Sequence, residues 1–203
     1  MTGGMNGKFF DLKKEKQDRM INGALKVFAG QGYRHASTDD IVREAGISKG
    51  LLFHYFGSKL GVYTFVYDYS VRYMTLELGS CVDNKCTELF AVMKQVEAAR
   101  MHAMRGYPYM QQFLSRSMTE DVNEALLAIE EKRDLLTDTY DYIWSRVDYS
   151  TLPENVDGEM LRKMLDFSIK GLMAERLQDA SFQPEMLYEE ITEYLDMMKR
   201  IVY

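Results

Sequence analysis

Side chains able to do covalent, acid–base or metal chemistry are scarce in this sequence. Its histidines are His35, His54 and His102, and its cysteines are Cys81 and Cys86. None of the histidines stands three residues after a carboxylate, so the Glu-x-x-His metal pattern is missing. The Walker phosphate loop, the glycine-rich dinucleotide turn and the Gly-x-Ser-x-Gly elbow are missing as well. The reading is no catalytic residue, no metal site, no cofactor and no enzyme. Cys81 and Cys86 are five apart with Lys85 between them, and a cation is what a reactive thiolate wants. Five residues is not a helical face spacing, so a disulfide would require a loop there. Both are read as buried inert thiols, with a thiol redox-sensing regulator kept as the alternative.

What remains is hydrogen-bonding chemistry concentrated in residues 37–56, STDDIVREAGISKGLLFHYF. Thr38 can cap a first helix whose opening turn carries Asp39 and Asp40, where the helix dipole favours acids. Ile41, Val42 and Ala45 give it an apolar face, and Gly46 can stop it in the left-handed conformation. Ile47 returns toward the core, and Ser48 can cap a second helix. Two short helices about a glycine turn make the helix-turn-helix pattern. The second helix of that pattern enters the DNA major groove, its N-terminal residues meeting base edges.

In detail the stretch resembles the tetracycline-repressor (TetR) family of bacterial regulators. That family's F-x-x-x-G-[YF] is met by Phe28, Gly32 and Tyr33. Its following motif is met by Ser37, Thr38, Asp40, Ile41, Ala45, Gly46, Ile47, Ser48, Gly50, Leu52, Phe53, Tyr55, Phe56, Ser58 and Lys59. The resemblance spans residues 20–60. It implies an all-α chain with an N-terminal three-helix DNA-binding domain and a C-terminal helical ligand-binding and dimerisation domain, about nine helices together. It puts Lys49, Gly50, Leu51 and His54 on the groove-facing side of the recognition helix. Lys49 can donate to guanine or phosphate, Gly50 lets the backbone approach, Leu51 can meet a thymine methyl, and His54 can bond a base or phosphate. Tyr55, Lys59 and Thr38 are the phosphate candidates, and Ser48 is the cap that begins the helix. Phe53 stands where the family often has Tyr, so one phenol contact is lost. Leu52 and Phe56 are assigned to the core. Arg34, His35 and Arg43 are peripheral, mostly solvated.

Composition agrees with a helical globular protein. The chain has 203 residues, 46% apolar and 28% charged, with only 3 prolines. Net charge is −6, but residues 1–60 carry 10 Lys+Arg against 6 acids, and the remainder 15 against 25. A basic head on an acidic body orients toward DNA by its field. No run approaches a membrane span, the start lacks a hydrophobic signal region, and the expected compartment is the reducing cytosol.

Three segments are expected: 1–11 flexible (with Met1 or Met5 the true start), 12–60 the DNA-binding domain, and 61–203 the body. Helices are predicted over 12–31, from a Ser58 cap to about 78, 82–105, 109–117, 118–147 as the longest, 156–178, and from Pro184 to the end. The helix after Ser58 is read as a stiff connection from head to body. Tyr69, Tyr73, Met93, Met101, Met104, Tyr107, Tyr109, Phe113, Tyr140 and Trp144 are candidate cavity residues for a hydrophobic or amphipathic effector, with ordinary core packing the bland reading. Glu97, Asp138 and Asp141 could pair with a cationic ligand, but are read as facing water.

In the family, the last two helices pair with their copies in a second subunit. Met160, Met164, Ser168, Gly171, Leu187, Ile191, Tyr194, Leu195 and Met198 are the corresponding candidates. The expected partners are a near-palindromic duplex, a second copy of the chain and a small molecule that releases repression, with no membrane. A helical interaction protein without DNA is the remaining alternative.

Overall fold

The computed structural model describes residues 5–179 and 181–203. Among them there are ten α-helices, one 3-10 turn and no strand. The helices are α1 Met5–Phe10, α2 Lys14–His35, α3 Thr38–Ala45, α4 Lys49–Phe56, α5 Lys59–Cys81, α6 Leu89–Gly106, α7 Met110–Ser117, α8 Asn123–Trp144, α9 Gly158–Arg176 and α10 Pro184–Val202. No helix among the described residues is long and apolar enough to cross a membrane.

The chain folds as two compact units. The first runs up to Tyr73 and adds Gly106–Leu136, while the second holds Met74–Arg105 and Thr137–Tyr203.

In the first unit α2 is the central bar. Ile21, Ala24, Leu25 and Phe28 recur at helical spacing, and each is no more than 1% exposed. Phe28 meets Tyr63 edge-on at 5.0 Å, and Tyr63 meets Phe113 of α7 at 5.5 Å. Gly23 faces Ala45 of α3 so closely that a Cβ there would lie 2.8 Å from the Ala45 backbone nitrogen. The helical path of α2 breaks at Gly32, at φ 68°, close to where sequence puts its end.

The segment expected to be flexible, 1–11, is partly helical. Residues 1–4 and the question of the true start lie outside the described residues, but α1 forms and buries Phe9 completely. Phe9 is ringed by Tyr55, Phe56 and Phe65 at 5.9, 5.4 and 4.8 Å. Phe10 stays half exposed.

In the second unit Phe90, Val92, Met93 and Val96 of α6, Leu165 and Ile169 of α9, and Leu187, Ile191 and Leu195 of α10 are buried. A charged group sits inside it. Arg100 contacts Glu97 at 2.6 Å and Asp166 at 3.4 Å, and Lys170 holds Asp166 at 2.7 Å. Glu97 is 4% exposed, which corrects its assignment to water, whereas Asp138 and Asp141 are exposed as expected. The buried Glu97 carboxylate and Arg100 guanidinium survive because each finds the other, with the half-buried Asp166 alongside; removing one partner would strand the rest.

Two helix starts differ from expectation for local reasons. Residues 82–88 are not helical: the Asp83 carboxylate accepts from the Lys85 N–H, and α6 opens only where Glu88 accepts from the Phe90 and Ala91 N–H groups. Likewise α8 opens at Asn123, because Glu120 accepts from the N–H groups of Asp121 and Val122. With 22 residues, α8 is shorter than α5 with 23.

Replacing Gly23 by Ala should cost about 1–3 kcal/mol, the range for forcing an extra methyl into a packed contact. The Gly30→Ala control meets nothing within 4 Å and should leave the urea midpoint unchanged or raised.

Candidate nucleic-acid interface

The two helices of the turn are held by their own caps. The Ser37 hydroxyl, rather than that of Thr38, caps α3, accepting from the Asp40 N–H at 3.0 Å. It donates in return to the Asp40 carboxylate at 2.7 Å. That bond, with Arg43 alongside, holds the Asp40 carboxyl below its ordinary range. Gly46 ends α3 in the left-handed conformation, φ 61° and ψ 43°, and the Ile47 N–H reaches back to the Val42 carbonyl at 3.1 Å. Ser48 then caps α4, accepting from the Leu51 N–H at 3.2 Å.

On α4 the 3.6-residue period sorts the side chains. Leu52 is 1% exposed and anchors the helix. Lys49, Gly50, Phe53 and His54 are exposed and share one face. Leu51 is half-buried at its edge. A Cβ at Gly50 would meet nothing within 4 Å, so no contact inside the chain requires a glycine there. Tyr55 is half-buried, its ring edge-on to Phe9 and to His54 at 4.9 Å. Thr38 is the half-buried first residue of α3.

Two contacts change the expected roles. Lys59, a phosphate candidate by sequence, instead donates its ammonium to the carbonyls of Tyr33 at 2.8 Å and Ala36 at 3.2 Å and lies 4.3 Å from the Tyr33 ring centroid. It closes the C-terminal end of α2, where a cation meets unsatisfied carbonyls. Lys49 is paired with Asp39 at 2.8 Å. Sequence reasoning misses Asp39 as a member of this surface, since it reads there only as a helix-dipole acid.

The effector candidates are distributed between the units. In the first, Tyr69 and Tyr73 stack on each other and both meet Tyr107 edge-on, at 5.4 and 5.1 Å. The Tyr107 hydroxyl is 2.5 Å from that of Tyr69, donates to Asp18 at 2.8 Å and accepts from Lys14 at 2.9 Å. Burial first, then Tyr69 and Asp18, push the Tyr107 phenol up. Phe113 is core, and Tyr109 is half-buried. In the second unit Met93, Met101 and Met104 are buried. Tyr140 lies beneath Arg100, centroid distance 5.5 Å, and Trp144 beneath Arg162 at 4.8 Å.

The partner-facing candidates divide too. Leu187, Ile191 and Leu195 are at most 2% exposed and already covered by the chain itself, which removes them from that set. Met160, Met164, Ser168, Gly171 and Tyr194 are exposed, and Met198 is half-buried. Ile201, part of the apolar stripe of the last helix, is exposed as well, and so are Phe167, Met186 and Met197, which the sequence does not single out. Cys81 and Cys86 are free and half-buried; burial, then Glu77, pushes the Cys81 thiol up, the opposite of a reactive thiolate.

Residues 20–63 match the family profile described as bacterial regulatory proteins, tetR family. That match shows a tetR-family segment over residues 20–63 of this chain. The HTH-type transcriptional regulator SrpR of Pseudomonas putida is 26% identical over 178 residues, 86% of this chain and 81% of that protein. The uncharacterized HTH-type transcriptional regulator TtgW, also of Pseudomonas putida, is 43% identical, but over 49 residues; the match spans 24% of this chain and 37% of the length of that relative. Among solved structures, AibR in complex with isovaleryl coenzyme A and operator DNA superposes with a TM-score of 0.56 at 14% identity, covering 85% of this chain and 94% of that one. The matched segment thus contains the whole of the capped turn, residues 37–56.

In this tetR-family surface, Gly50→Ala should leave the melting temperature unchanged or raised while weakening DNA binding, because the added methyl meets only what docks from outside. Asp39→Asn should tighten DNA binding, by freeing Lys49 and removing a charge facing the phosphates. Lys49→Ala separates two roles by fluorescence anisotropy. A phosphate contact loses affinity evenly across sequences and lowers the salt slope by about one, whereas a guanine contact loses ~1–3 kcal/mol at one base pair.

Proposed function

We propose that the chain is a sequence-specific DNA-binding transcriptional regulator that acts as a homodimer on a near-palindromic operator. The observation that carries this is the open face of α4, with Lys49, Gly50, Phe53 and His54 exposed on a helix anchored by Leu52. The surrounding caps fix that helix before DNA arrives, so little ordering entropy remains to be lost on docking.

One α4 buries too little surface for tight, selective binding, whereas two related by a dyad read half-sites about 34–36 Å apart. The surface that supports pairing is the apolar face of α9 and α10. Met164 is 61% exposed, Phe167 70% and Ile201 67%, and a stripe of this kind needs a cover. Gly171 on α9 has open space where a Cβ would be, so a partner helix can approach closely there.

The sign we propose is repression, released by a hydrophobic or amphipathic small molecule. An acyl-coenzyme A thioester is the first compound to test, since the fold relative AibR was solved with isovaleryl coenzyme A. Such a ligand acts by its differential affinity for two spacings of the recognition helices.

A gel-shift with the intergenic DNA upstream of the protein's own gene tests the reading. The expected result is one retarded complex that weakens steeply with salt and resists competitor DNA of unrelated sequence. Retardation equal for any duplex, or none at low salt, overturns it. Phe167→Asp with Met164→Asp should sediment as a monomer with its helicity intact and lose the specific complex. A wild type that already sediments as a monomer at working concentration removes the dimer.

A further inference from the structure

Glu77 and Cys81 stand four apart on α5 and so share one face of that helix, and His102 of α6 faces them within the same compact unit. The Cys81 Sγ is 3.3 Å from His102 Nδ1, and that nitrogen is 3.4 Å from a Glu77 carboxylate oxygen. One donor atom from each residue lies within 4.8 Å of the other two. We propose that Glu77, Cys81 and His102 form a binding site for a borderline-soft divalent transition metal, Zn2+ foremost.

The donor set selects the ion class. Thiolate, imidazole and carboxylate together suit zinc, whereas magnesium and calcium take oxygen donors. The two separations made by His102 Nδ1, 3.3 and 3.4 Å, fit too, and the Cys81 and Glu77 donors lie within 4.8 Å of each other. With Zn–S near 2.3 Å and Zn–N or Zn–O near 2.0–2.2 Å, tetrahedral donors stand roughly 3.3–3.6 Å apart. Three protein donors leave the fourth position to water, and all three residues are half-buried rather than sealed, which leaves a path for an ion and that water. On binding, the Cys81 S–H proton is released to solvent and an S–Zn bond forms; no electron moves. The ion would tie the end of α5 to α6 just before the non-helical residues 82–88.

Titration of the full chain with Co2+, followed by competition with Zn2+, tests the site without any DNA readout, so its outcome is independent of the regulator reading. The expected result is one equivalent bound, with a thiolate-to-cobalt charge-transfer band that Zn2+ abolishes. Cys81→Ser should lose the band, and His102→Gln and Glu77→Gln should each weaken binding by at least the roughly 10–100-fold that loss of a mere supporting group costs. Cys86→Ser should change neither. Should Cys81→Ser fail to fold, the other two variants carry the test, with circular dichroism confirming their helicity. Zn2+ should also raise the melting temperature of the wild type and not of His102→Gln. Absence of the thiolate band, its dependence on Cys86 instead, or equal affinity in wild type, His102→Gln and Glu77→Gln would overturn the assignment.

Discussion

The backbone of α2 can approach α3 closely because residue 23 has no side chain. With Ala45 opposite, also small, the two helices meet nearly backbone to backbone, and any larger pair would have to shift one of them. That contact decides the orientation of α3, and α3 decides the rest. Gly46 follows Ala45 directly in the left-handed conformation, so the chain leaves α3 on a fixed path. Two residues later Ser48 starts α4, and Leu52 locks it in place. The exposed face of α4 is thus three short steps from a single steric constraint in the core.

Charge acts on top of that geometry. The Asp39–Lys49 pair joins side chains that are 70% and 51% exposed, and exposed pairs of this kind contribute about 0–1 kcal/mol. It therefore costs little to exchange Asp39 for a phosphate, while it keeps the ammonium oriented outward in the meantime. The Arg100–Glu97 pair is the opposite case. There both partners are buried, hydrogen-bonded and backed by Asp166, and the charges organise the second unit rather than meeting a solvent-borne partner. The same residue types, read by type alone, cannot be told apart; burial separates them.

The sequence was most legible where structure is local. Gly46, Ser48, Ser58 and Pro184 act within four residues of themselves, and each does what its chemistry predicts, Ser58 accepting from the Gly61 N–H at 3.0 Å. It was least legible where the partner is far along the chain. Lys59 looked like a phosphate ligand because nothing nearby shows that the carbonyls of Tyr33 and Ala36 lie under it. Glu97 looked solvated because Arg100 and Asp166 come together only in the fold. Periodicity marks the α10 stripe as apolar without saying which edge its own chain covers. Leu187, Ile191 and Leu195 face in, while Met186, Met197 and Ile201 face out. The juxtaposition of Glu77 and Cys81 with His102 is hidden for a similar reason, since a single-helix spacing cannot show a third side chain that comes from another helix.

The compact unit that contains α4 is not a simple run of residues, and this matters for how α4 can be moved. Within it α2 is held at both ends by one distant stretch. At its start, Lys14 and Asp18 engage the hydroxyl of Tyr107. At its end, the Tyr33 hydroxyl donates to Glu124 at 2.6 Å, the Tyr33 N–H donates to Glu120 at 3.0 Å, and Arg34 pairs with Asp121 at 3.1 Å. Residues 107–124 thus grip the bar on which α3 rests. A hydrogen-bonded grip at two points resists bending of α2, but it passes on a rigid displacement of the gripping segment almost undiminished. A small shift of residues 107–124 would carry α2 with it, and the close contact of Gly23 with Ala45 would oblige α3 to follow, with no unfolding and no long loop closure.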